Sequence, residues 1–390
     1  MIVGVVGAGT MGAGIAQVCL AAGHAVRLHD ASREAVERGS ARIAEGLGRL
    51  MTRGHISVDD RDDALARLTI VAALSEVALG ADVVIEAALE NLDTKQSIFA
   101  ALDAAATPGA LLATNTSSLS VSAIAAVTAR PGRVLGLHFF IPAPLMALVE
   151  VVAGERTDAA TMLAADAFVT GLGKRPVACI DAPGFIVNRI NRSFTLEALR
   201  MLEAAEAGIE AVDAAVVAGG FPMGPFALMD LVGIDVNLAV ARSLHEAFGR
   251  AVRFRPSPIQ ARLVDAGTLG RKSGQGFYRY DAEGLALGPA PGFEPHAGAA
   301  AGTVALPADE IRTRIELAIV NEAYRAAGDG VATPPDIDLA MRLGAGHPVG
   351  PFARAAALGL RRVVAELRRL EHLHGERFRV APALWNVAAI

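Results

Sequence analysis

The sequence predicts an α/β domain, followed by an all-α domain and a partial second copy of that all-α domain. Three observations lead to this prediction. Short strand-like and helix-like segments alternate over residues 2–183, helical periodicity replaces the alternation after residue 183, and a motif of the helical part recurs near the C-terminus. Alternating strands and helices typically bury a parallel sheet between helical layers. We therefore predict domains at residues 1–183, 184–283 and 308–390, with a linker at 284–307.

The first domain contains short apolar runs that have the pattern of buried strands. Helices are expected between the runs. One helix begins after Ser32, whose hydroxyl suits an N-cap, and ends near Gly54, where glycine suits the last turn. The predicted strands span residues 2–6, 25–29, 68–71, 82–86, 110–114, 134–139 and 148–152.

The second part of the chain is predicted to be helical and repeated. Apolar positions recur at helical spacing over residues 185–208 and 209–218, and a strand signal returns only at 276–280. Glycine, proline and alanine dominate residues 284–307, a composition typical of a linker. The segment Gly220-Phe-Pro-Met-Gly-Pro-Phe226 is echoed by Gly346-His-Pro-Val-Gly-Pro-Phe352, which indicates duplication of the helical domain.

Composition argues against several classes of protein. The 390 residues carry a net charge of −5, so no basic surplus favours nucleic acid as a partner. Mean hydropathy is +0.40, yet every apolar run is shorter than the roughly 18 residues of a spanning helix. Cys19 and Cys179 offer neither a disulfide framework nor a metal motif, and no basic segment precedes the strand at Ile2. We predict a cytoplasmic protein that has no signal peptide, no membrane partner and no bound metal.

A glycine-rich turn follows the first predicted strand and opens the first helix. It reads Gly7-Ala-Gly9-Thr10-Met11-Gly12. In this context the first glycine permits the tight turn, the second admits a pyrophosphate, and the third allows close packing of helix on strand. The helix N-terminus then faces the negative charge. The turn predicts a dinucleotide site that includes Thr10 and Met11.

Asp30 lies at the end of the second predicted strand and indicates which dinucleotide binds. A carboxylate there accepts hydrogen bonds from ribose hydroxyls and repels a 2′-phosphate, which favours NAD over NADP. Asp30 as the N-cap of the next helix is the alternative, although Ser32 already suits that role. Arg33 lies nearby in the sequence, and an arginine there can accommodate a 2′-phosphate, so NADP stays the alternative.

His138 and Glu150 are the candidates for acid–base chemistry. His138 ends a predicted buried strand, on the side where open α/β sheets bind ligands, and a neutral histidine takes protons near pH 7. Glu150 interrupts another apolar strand, and a buried carboxylate is costly unless it is paired. A His–Glu pair would resolve that cost and fix the imidazole tautomer. His138 as an ordinary core histidine is the alternative.

Several motifs occur in a fixed order along the chain, and together they resemble the L-3-hydroxyacyl-CoA dehydrogenase family. The resemblance runs from residue 1 to about 284, and the third segment resembles the extra C-terminal copy of longer members. It implies a Rossmann-type first domain. The motifs are Gly7-x-Gly9-x-x-Gly12, Asn115-Thr-Ser117-Ser-Leu, Gly136-Leu-His138-Phe-Phe, Leu148-Val-Glu150-Val, Asp181-Ala-Pro-Gly-Phe-Ile-Val-Asn188-Arg and Gly270-Arg-Lys272-Ser-Gly-Gln-Gly-Phe-Tyr.

The resemblance also implies a role for each matching residue. His138 would be the general base and Glu150 its orienting partner, while Ser117 and Asn188 would hydrogen-bond the reacting part of the substrate. Read from the residues alone, these last two would be capping or helix-surface residues. By the same resemblance, the side chains that lie near the nicotinamide half of the cofactor are Glu90, Lys95, Ser117 and Lys272. Those that lie near the CoA phosphates are Arg49 and Arg53, in a segment that also contains His55.

The implied reaction is oxidation of an (S)-3-hydroxyacyl-CoA by NAD in fatty acid metabolism or β-oxidation. The acyl group would be short, 3-hydroxybutyryl-like or 3-hydroxyadipyl. One departure bears on the substrate: the family motif His-Phe-Phe-Asn-Pro reads His138-Phe-Phe-Ile141-Pro here, and the branched alkyl group loses one hydrogen bond. This change should tune affinity rather than abolish the chemistry.

Other functions and two assemblies remain open at this point. The alternatives are a CoA-independent dehydrogenase of a sugar acid or carnitine, and a non-catalytic structural, NAD-binding or CoA-binding protein. Shorter family members pair through their helical domains. The chain is therefore expected either to form a homodimer or to be a monomeric pseudo-dimer, with its second copy supplying the contact internally.

Overall fold

A computed structural model describes residues 1–293 and 306–388 of the chain. The chain divides into two compact units, Met1–Phe185 and Ile186–Ile390. The two helical segments that the sequence separates into different domains thus belong to one unit. Within the described ranges, no helix combines the length and the apolar character that crossing a membrane requires.

The first unit is built on a mixed sheet. In the described residues this sheet has eight strands in the order β3-β2-β1-β4-β5-β6-β7-β8. The strands predicted from the sequence are confirmed, each bound lying within one residue of the expected position. The strands are β1 Ile2–Val6, β2 Ala25–His29, β3 Leu68–Ile70, β4 Val83–Glu86, β5 Leu111–Thr114, β6 Val134–Phe139, β7 Leu148–Ala153 and β8 Arg175–Ile180.

Helices α1 to α7 connect these strands. Ser32 caps α2 as expected, since its Oγ accepts a hydrogen bond from the backbone N–H of Ala35 at 3.2 Å. Aliphatic side chains of the strands and of α1, α2 and α7 form the core of the unit. The helices are α1 Thr10–Ala21, α2 Arg33–Thr52, α3 Val58–Ala66, α4 Leu74–Ala78, α5 Leu92–Ala105, α6 Val121–Ala125 and α7 Ala159–Gly171.

Two features of the sheet differ from the prediction: the direction of one strand and the presence of an eighth. Strand β7 runs antiparallel to β6, because the connection between them is too short for the crossover that parallel neighbours need. Strand β8 was not predicted. It lies at the edge of the sheet, begins Arg175-Pro176, and alternates between exposed and buried side chains, so it lacks the apolar run of a central strand.

The second unit contains the same series of helices twice. The first series is α8 Val187–Glu203, α9 Ile209–Ala218, α10 Pro225–Val232, α11 Ile234–Ala247 and α12 Pro258–Asp265; the second is α13 Ala308–Gly328, α14 Pro334–Gly344, α15 Pro351–Leu358, α16 Leu360–His374 and α17 Pro382–Ala388. Asp213 receives the N–H groups of Phe226 and Ala227, and Asp338 receives those of Phe352 and Ala353 in the same way.

The prediction of a linker over residues 284–307 is wrong for the first part of this segment. A strand β10, Ala286–Pro289, pairs antiparallel with β9, Tyr278–Tyr280. The sequence Ala-Leu-Gly-Pro has little strand character of its own, and the pairing depends on the adjacent Tyr-Arg-Tyr strand. Residues 294–305 of the predicted linker lie outside the described residues.

A buried network of arginines and glutamates joins the two copies inside the second unit. Arg189 of α8 donates to Glu322 of α13 at 2.8 Å, and Arg314 of α13 donates to Glu197 of α8 at 2.6 Å. The spacing from Arg189 to Glu197 in α8 equals that from Arg314 to Glu322 in α13, so the two ion pairs are reciprocal. All four side chains are at most 3% exposed. The contact therefore has the self-complementary form of a two-fold interface.

Candidate active site

The glycine-rich turn has the geometry of a dinucleotide cradle. Gly7 has φ +99°, and a Cβ there would lie 2.5 Å from the carbonyl oxygen of Ala87. A Cβ on Gly12 would lie 1.8 Å from the carbonyl oxygen of Gly7, so only glycine fits between strand and helix. Beside Gly9 there is open space, and α1 begins at Thr10 without a side-chain cap. These residues fit a pyrophosphate held by uncapped N–H groups.

Asp30 is tied to this turn rather than to the next helix. One carboxylate oxygen accepts the N–H of Ala8 at 2.8 Å, and the other accepts the N–H of Ser32 at 2.9 Å. Ser32 is the N-cap of α2, so the alternative role for Asp30 does not apply. Each oxygen of a carboxylate can accept more than one hydrogen bond, and Asp30 can therefore also receive ribose hydroxyls.

A buried ion pair lies at the carboxyl ends of β4 and β5. Lys95 is 1% exposed, and its Nζ donates to Oε1 of Glu86 at 2.6 Å. The other oxygen of Glu86 accepts the hydroxyl of Thr114 at 2.7 Å. Glu86 was missed in the sequence, although a carboxylate at the end of an apolar strand is the same signal that singled out Glu150.

Glu90 connects this ion pair to Ser117. Its Oε2 lies 3.3 Å from the Lys95 Nζ, while its Oε1 accepts the Thr116 hydroxyl at 2.6 Å and the Ser117 N–H at 2.9 Å. Burial acts to raise the pKa of the Glu90 carboxyl, but the hydrogen bond from Thr116 and the Lys95 ammonium outweigh it, so the pKa lies below its ordinary value. Three predicted residues, Glu90, Lys95 and Ser117, are thus brought together around a charged carboxylate.

His138 and Glu150 face each other across the antiparallel strands β6 and β7. The sheet register places them directly opposite, and Nδ1 of His138 lies 2.6 Å from Oε2 of Glu150. His138 is 6% exposed and Glu150 is fully buried. The contact occupies Nδ1, so Nε2 is the ring nitrogen that this pair leaves for another partner. The ring of Phe140 lies against the imidazole, with centroids 4.5 Å apart.

A groove of about 550 Å³ lies beside α1, α2 and the loop after β6. Arg49 of α2 and Arg53, which directly follows α2, line it, as the resemblance implied for CoA contacts, and so does Lys174, which directly precedes β8. Its described lining contains no acidic residue. Arg49 also pairs with the exposed Glu45 one turn away. The groove therefore favours an anionic group. His55 is exposed and does not line it.

Two predicted residues belong to the second unit. Asn188 lies in the first turn of α8 and is half-buried. Lys272 lies in a short 3₁₀ turn, 46% exposed, with its Nζ 2.6 Å from Asp235. In the first unit, Ile141 follows the His138 strand and is 61% exposed, so its alkyl group is not part of the core.

Comparisons with known proteins identify the family. The family described as 3-hydroxyacyl-CoA dehydrogenase, NAD binding domain, matches residues 2–182, and its C-terminal domain matches residues 184–280 and again 311–389. The chain is 39% identical to the 3-hydroxyadipyl-CoA dehydrogenase of Escherichia coli, over 96% of this chain and 94% of that protein. It is 44% identical to a 3-hydroxybutyryl-CoA dehydrogenase of Mycobacterium tuberculosis, which covers 71% of this chain and is itself 98% covered.

Solved structures agree with the sequence comparisons. The crystal structure of 3-hydroxybutyryl-CoA dehydrogenase from Escherichia coli superposes with a TM-score of 0.89 at 37% identity, covering 100% of this chain and 98% of that one. The fold predicted from the sequence, a Rossmann-type domain followed by two helical copies, is confirmed. The cofactor predicted from the glycine turn and Asp30 is likewise confirmed as NAD. The chain is an NAD-dependent oxidoreductase and belongs to the 3-hydroxyacyl-CoA dehydrogenase family.

Proposed function

We propose that this protein oxidises an (S)-3-hydroxyacyl-CoA to the 3-ketoacyl-CoA, with the His138–Glu150 pair as its acid–base group. The observation that carries the proposal is the 2.6 Å contact between Nδ1 of His138 and Glu150 in a buried site. The Glu150 carboxylate holds the proton on Nδ1, so Nε2 is free to accept the proton of the 3-hydroxyl group. The same carboxylate stabilises the imidazolium that forms.

Bound NAD supplies the hydride acceptor of the reaction. The protein's part is to hold the cofactor and to support the reacting oxygen. We assign the cofactor site to the glycine turn, Asp30, Glu90, Lys95 and Lys272. Ser117 and Asn188 are assigned to the substrate, since a hydroxyl and an amide can each donate to a developing carbonyl oxygen.

The test is the decrease in NADH absorbance when the purified protein receives acetoacetyl-CoA. We expect oxidation of NADH and a rate that depends on the acyl group. The Escherichia coli sequence and crystal structure reported above carry the names 3-hydroxyadipyl-CoA and 3-hydroxybutyryl-CoA dehydrogenase, so a series of 3-ketoacyl-CoA esters with and without a terminal carboxylate identifies the acyl group. Failure with every ester would refute the proposal, and activity on sugar acids or carnitine would then replace it.

The cofactor preference is tested at Asp30. Asn in place of Asp30 keeps an acceptor for the ribose but removes the charge that repels a 2′-phosphate. We expect the ratio of kcat/KM for NADH to that for NADPH to fall on the order of tenfold, the value of one charge-assisted hydrogen bond. An unchanged ratio would show that Asp30 does not select the cofactor.

We also propose that the groove lined by Arg49 and Arg53 receives phosphate groups of CoA. With Arg53→Gln we expect KM for acetoacetyl-CoA to rise about tenfold, because a charge-assisted contact to phosphate is lost. The same variant should show no such rise with acetoacetyl-pantetheine, which lacks the nucleotide. Arg38→Gln, in the helix that Arg53 directly follows but paired with Glu34 and outside the groove, is the matched control. An equal rise in KM for both esters would argue against phosphate binding.

For the assembly, we propose a monomer in which the second helical copy takes the place of a second subunit. The reciprocal pairs Arg189–Glu322 and Arg314–Glu197 support this proposal, because each copy contributes the same groups to the contact. Light scattering after size exclusion should give the mass of one chain, 40.2 kDa, at every loading concentration. A mass twice as large would favour a homodimer instead.

A cytoplasmic location is proposed from the chain's use of cysteine. Both Cys19 and Cys179 are buried, and burial raises the pKa of the Cys19 thiol to about 12, so this thiol is unreactive at neutral pH. The fold therefore needs no oxidising compartment. Fractionation of expressing cells with activity measurement tests this location.

A further inference from the structure

The loop 140–147 joins the two halves of the proposed catalytic pair. It leaves β6 after the strand of His138 and enters β7, the strand of Glu150. The loop also packs on the dinucleotide-binding helix, since a Cβ on Gly14 of α1 would lie 3.2 Å from the Cβ of Ala143. Pro142, Pro144 and Leu145 of the loop line the groove. The position of this loop thus affects the catalytic pair, the cofactor helix and the groove together.

Lys174 is hydrogen-bonded to the backbone of this loop. Its Nζ donates to the carbonyl oxygens of Ala143 at 2.7 Å, Pro144 at 3.2 Å and Met146 at 2.7 Å. An ammonium group has three N–H donors, so a single loop takes all of them. Arg175 adds a backbone bond, from its N–H to the carbonyl of Ala147 at 2.8 Å.

Among the buried cations of the described residues, Lys174 and Arg192 have no carboxylate partner, and the acceptors of Arg192 are oxygens of Asn237 and Thr195. The side chains of Lys95 and Arg189 are buried against carboxylates, whereas Lys174 is buried against carbonyl groups alone. Burial lowers the pKa of Lys174, and no neighbouring charge in the described part of the chain counteracts this shift. A buried ammonium without a counter-ion is costly, and the loop carbonyls compensate it only while they stay in place. The hydrogen bonds therefore hold the loop in its position and stabilise the buried ammonium group of Lys174.

We propose that Lys174 is a positioning residue for the reaction: it anchors the loop 140–147 and so sets the approach of the bound acyl-CoA to His138. This inference rests on the proposed function. It differs from the assignment of Arg53, because Arg53 acts on the CoA phosphates alone, whereas Lys174 acts through the loop on the chemical step as well.

The experiment compares Lys174→Met with Arg175→Met, an exposed neighbour with the same change of side chain. Both are assayed with acetoacetyl-CoA and with acetoacetyl-pantetheine, which lacks the nucleotide phosphates. We expect Lys174→Met to lower kcat about tenfold with both esters, since a misplaced substrate loses catalysis whatever its tail. KM should rise further for the CoA ester, because the groove also loses a charge. Arg175→Met should leave both constants as in the unmodified protein.

Two further measurements separate positioning from general damage. Hydrogen exchange of peptides covering residues 140–147 should become about tenfold faster in Lys174→Met, with the amides of β1 and β2 unchanged. Lys174→Arg, which keeps a charged donor, should recover part of the lost kcat. If Lys174→Met aggregates, Lys174→Gln replaces it, since the amide still donates two hydrogen bonds.

The outcomes are distinct. An unchanged kcat with both esters, or a change in KM for the CoA ester alone, would overturn the positioning role. So would loop exchange equal to that of the unmodified protein. Failure of the unmodified protein to reduce any 3-ketoacyl thioester would instead refute the proposed function, and the exchange measurement would then decide whether Lys174 anchors the loop.

Discussion

His138→Gln is expected to lower kcat for the reduction of acetoacetyl-CoA by roughly 10² to 10⁴, the usual contribution of a general acid–base group. Glutamine is close to histidine in size and can still donate a hydrogen bond to Glu150, so the buried site stays filled. It cannot accept or release a proton near neutral pH, and the 3-hydroxyl loses its proton acceptor. The measurement is steady-state kinetics with NADH as the second substrate.

Two controls make this result specific. The dissociation constant of NADH, measured by its fluorescence, should stay within a factor of about three, since His138 is assigned to the proton and not to the cofactor. His372→Gln, an exposed histidine of α16, should behave as the unmodified protein. Retention of more than a tenth of kcat in His138→Gln would remove His138 as the general base.

Glu197→Gln is expected to destabilise the second unit by about 3–5 kcal/mol, the cost of breaking a buried ion pair. Its carboxylate lies among Arg314 at 2.6 Å, Arg377 at 3.1 Å and Arg200 at 3.5 Å, and an amide leaves these guanidinium groups without their anion. At roughly 2–4 °C per kcal/mol for a unit of this size, the corresponding transition should fall by roughly 6–20 °C in calorimetry.

The effect of Glu197 should also depend on pH. Burial acts to raise the pKa of its carboxyl, but the charges of Arg200 and Arg314 outweigh burial and lower it. A carboxyl whose pKa is lower in the folded state adds stability above its unfolded pKa of about 4.3, and this stability is lost as the pH falls further. The difference in transition temperature between the unmodified protein and Glu197→Gln should therefore be full at pH 7 and shrink in acid.

Matched variants test whether the effect comes from the buried network. Glu322→Gln should lower the transition as Glu197→Gln does, since Glu322 contacts Arg189 and Arg253 in the reciprocal position. Glu246→Gln removes an exposed pair with Arg250 and should cost less than about 1 kcal/mol. If all three variants melted alike, burial of the network would not matter.

Most strands of the first unit could be predicted because their signal is local. The runs at β1, β4 and β6 are almost wholly apolar and are buried on both faces, as central strands are. Strand β8 was missed because an edge strand buries only one face, and β10 because its pairing with β9 is a non-local event. The antiparallel direction of β7 follows from loop length, which the sequence does show.

The candidate site was predictable where one residue broke a pattern. Glu150 stands out because a carboxylate interrupts an apolar strand, and the structure places it against His138. Glu86 gives the same signal at the end of β4 and was overlooked. Lys174 gives no signal, because it follows a glycine turn where a lysine is ordinarily solvated, and only the folded loop reveals its acceptors. Contacts of this kind depend on tertiary structure.

The duplicated helical unit changes what mutation can do to its interface. In a homodimer both sides of a two-fold contact are encoded by the same codons, so every substitution occurs on both sides. In this chain the two sides of the contact are encoded separately, so a substitution changes one side alone. Asp235, which pairs with Lys272, corresponds to Arg361 in the second copy, and Asp230, which binds the backbone of β9, corresponds to Ala356. The two buried glutamates, Glu197 and Glu322, are the same in both copies, whereas these positions away from the contact differ. One copy can therefore change its sequence while the other retains its residues.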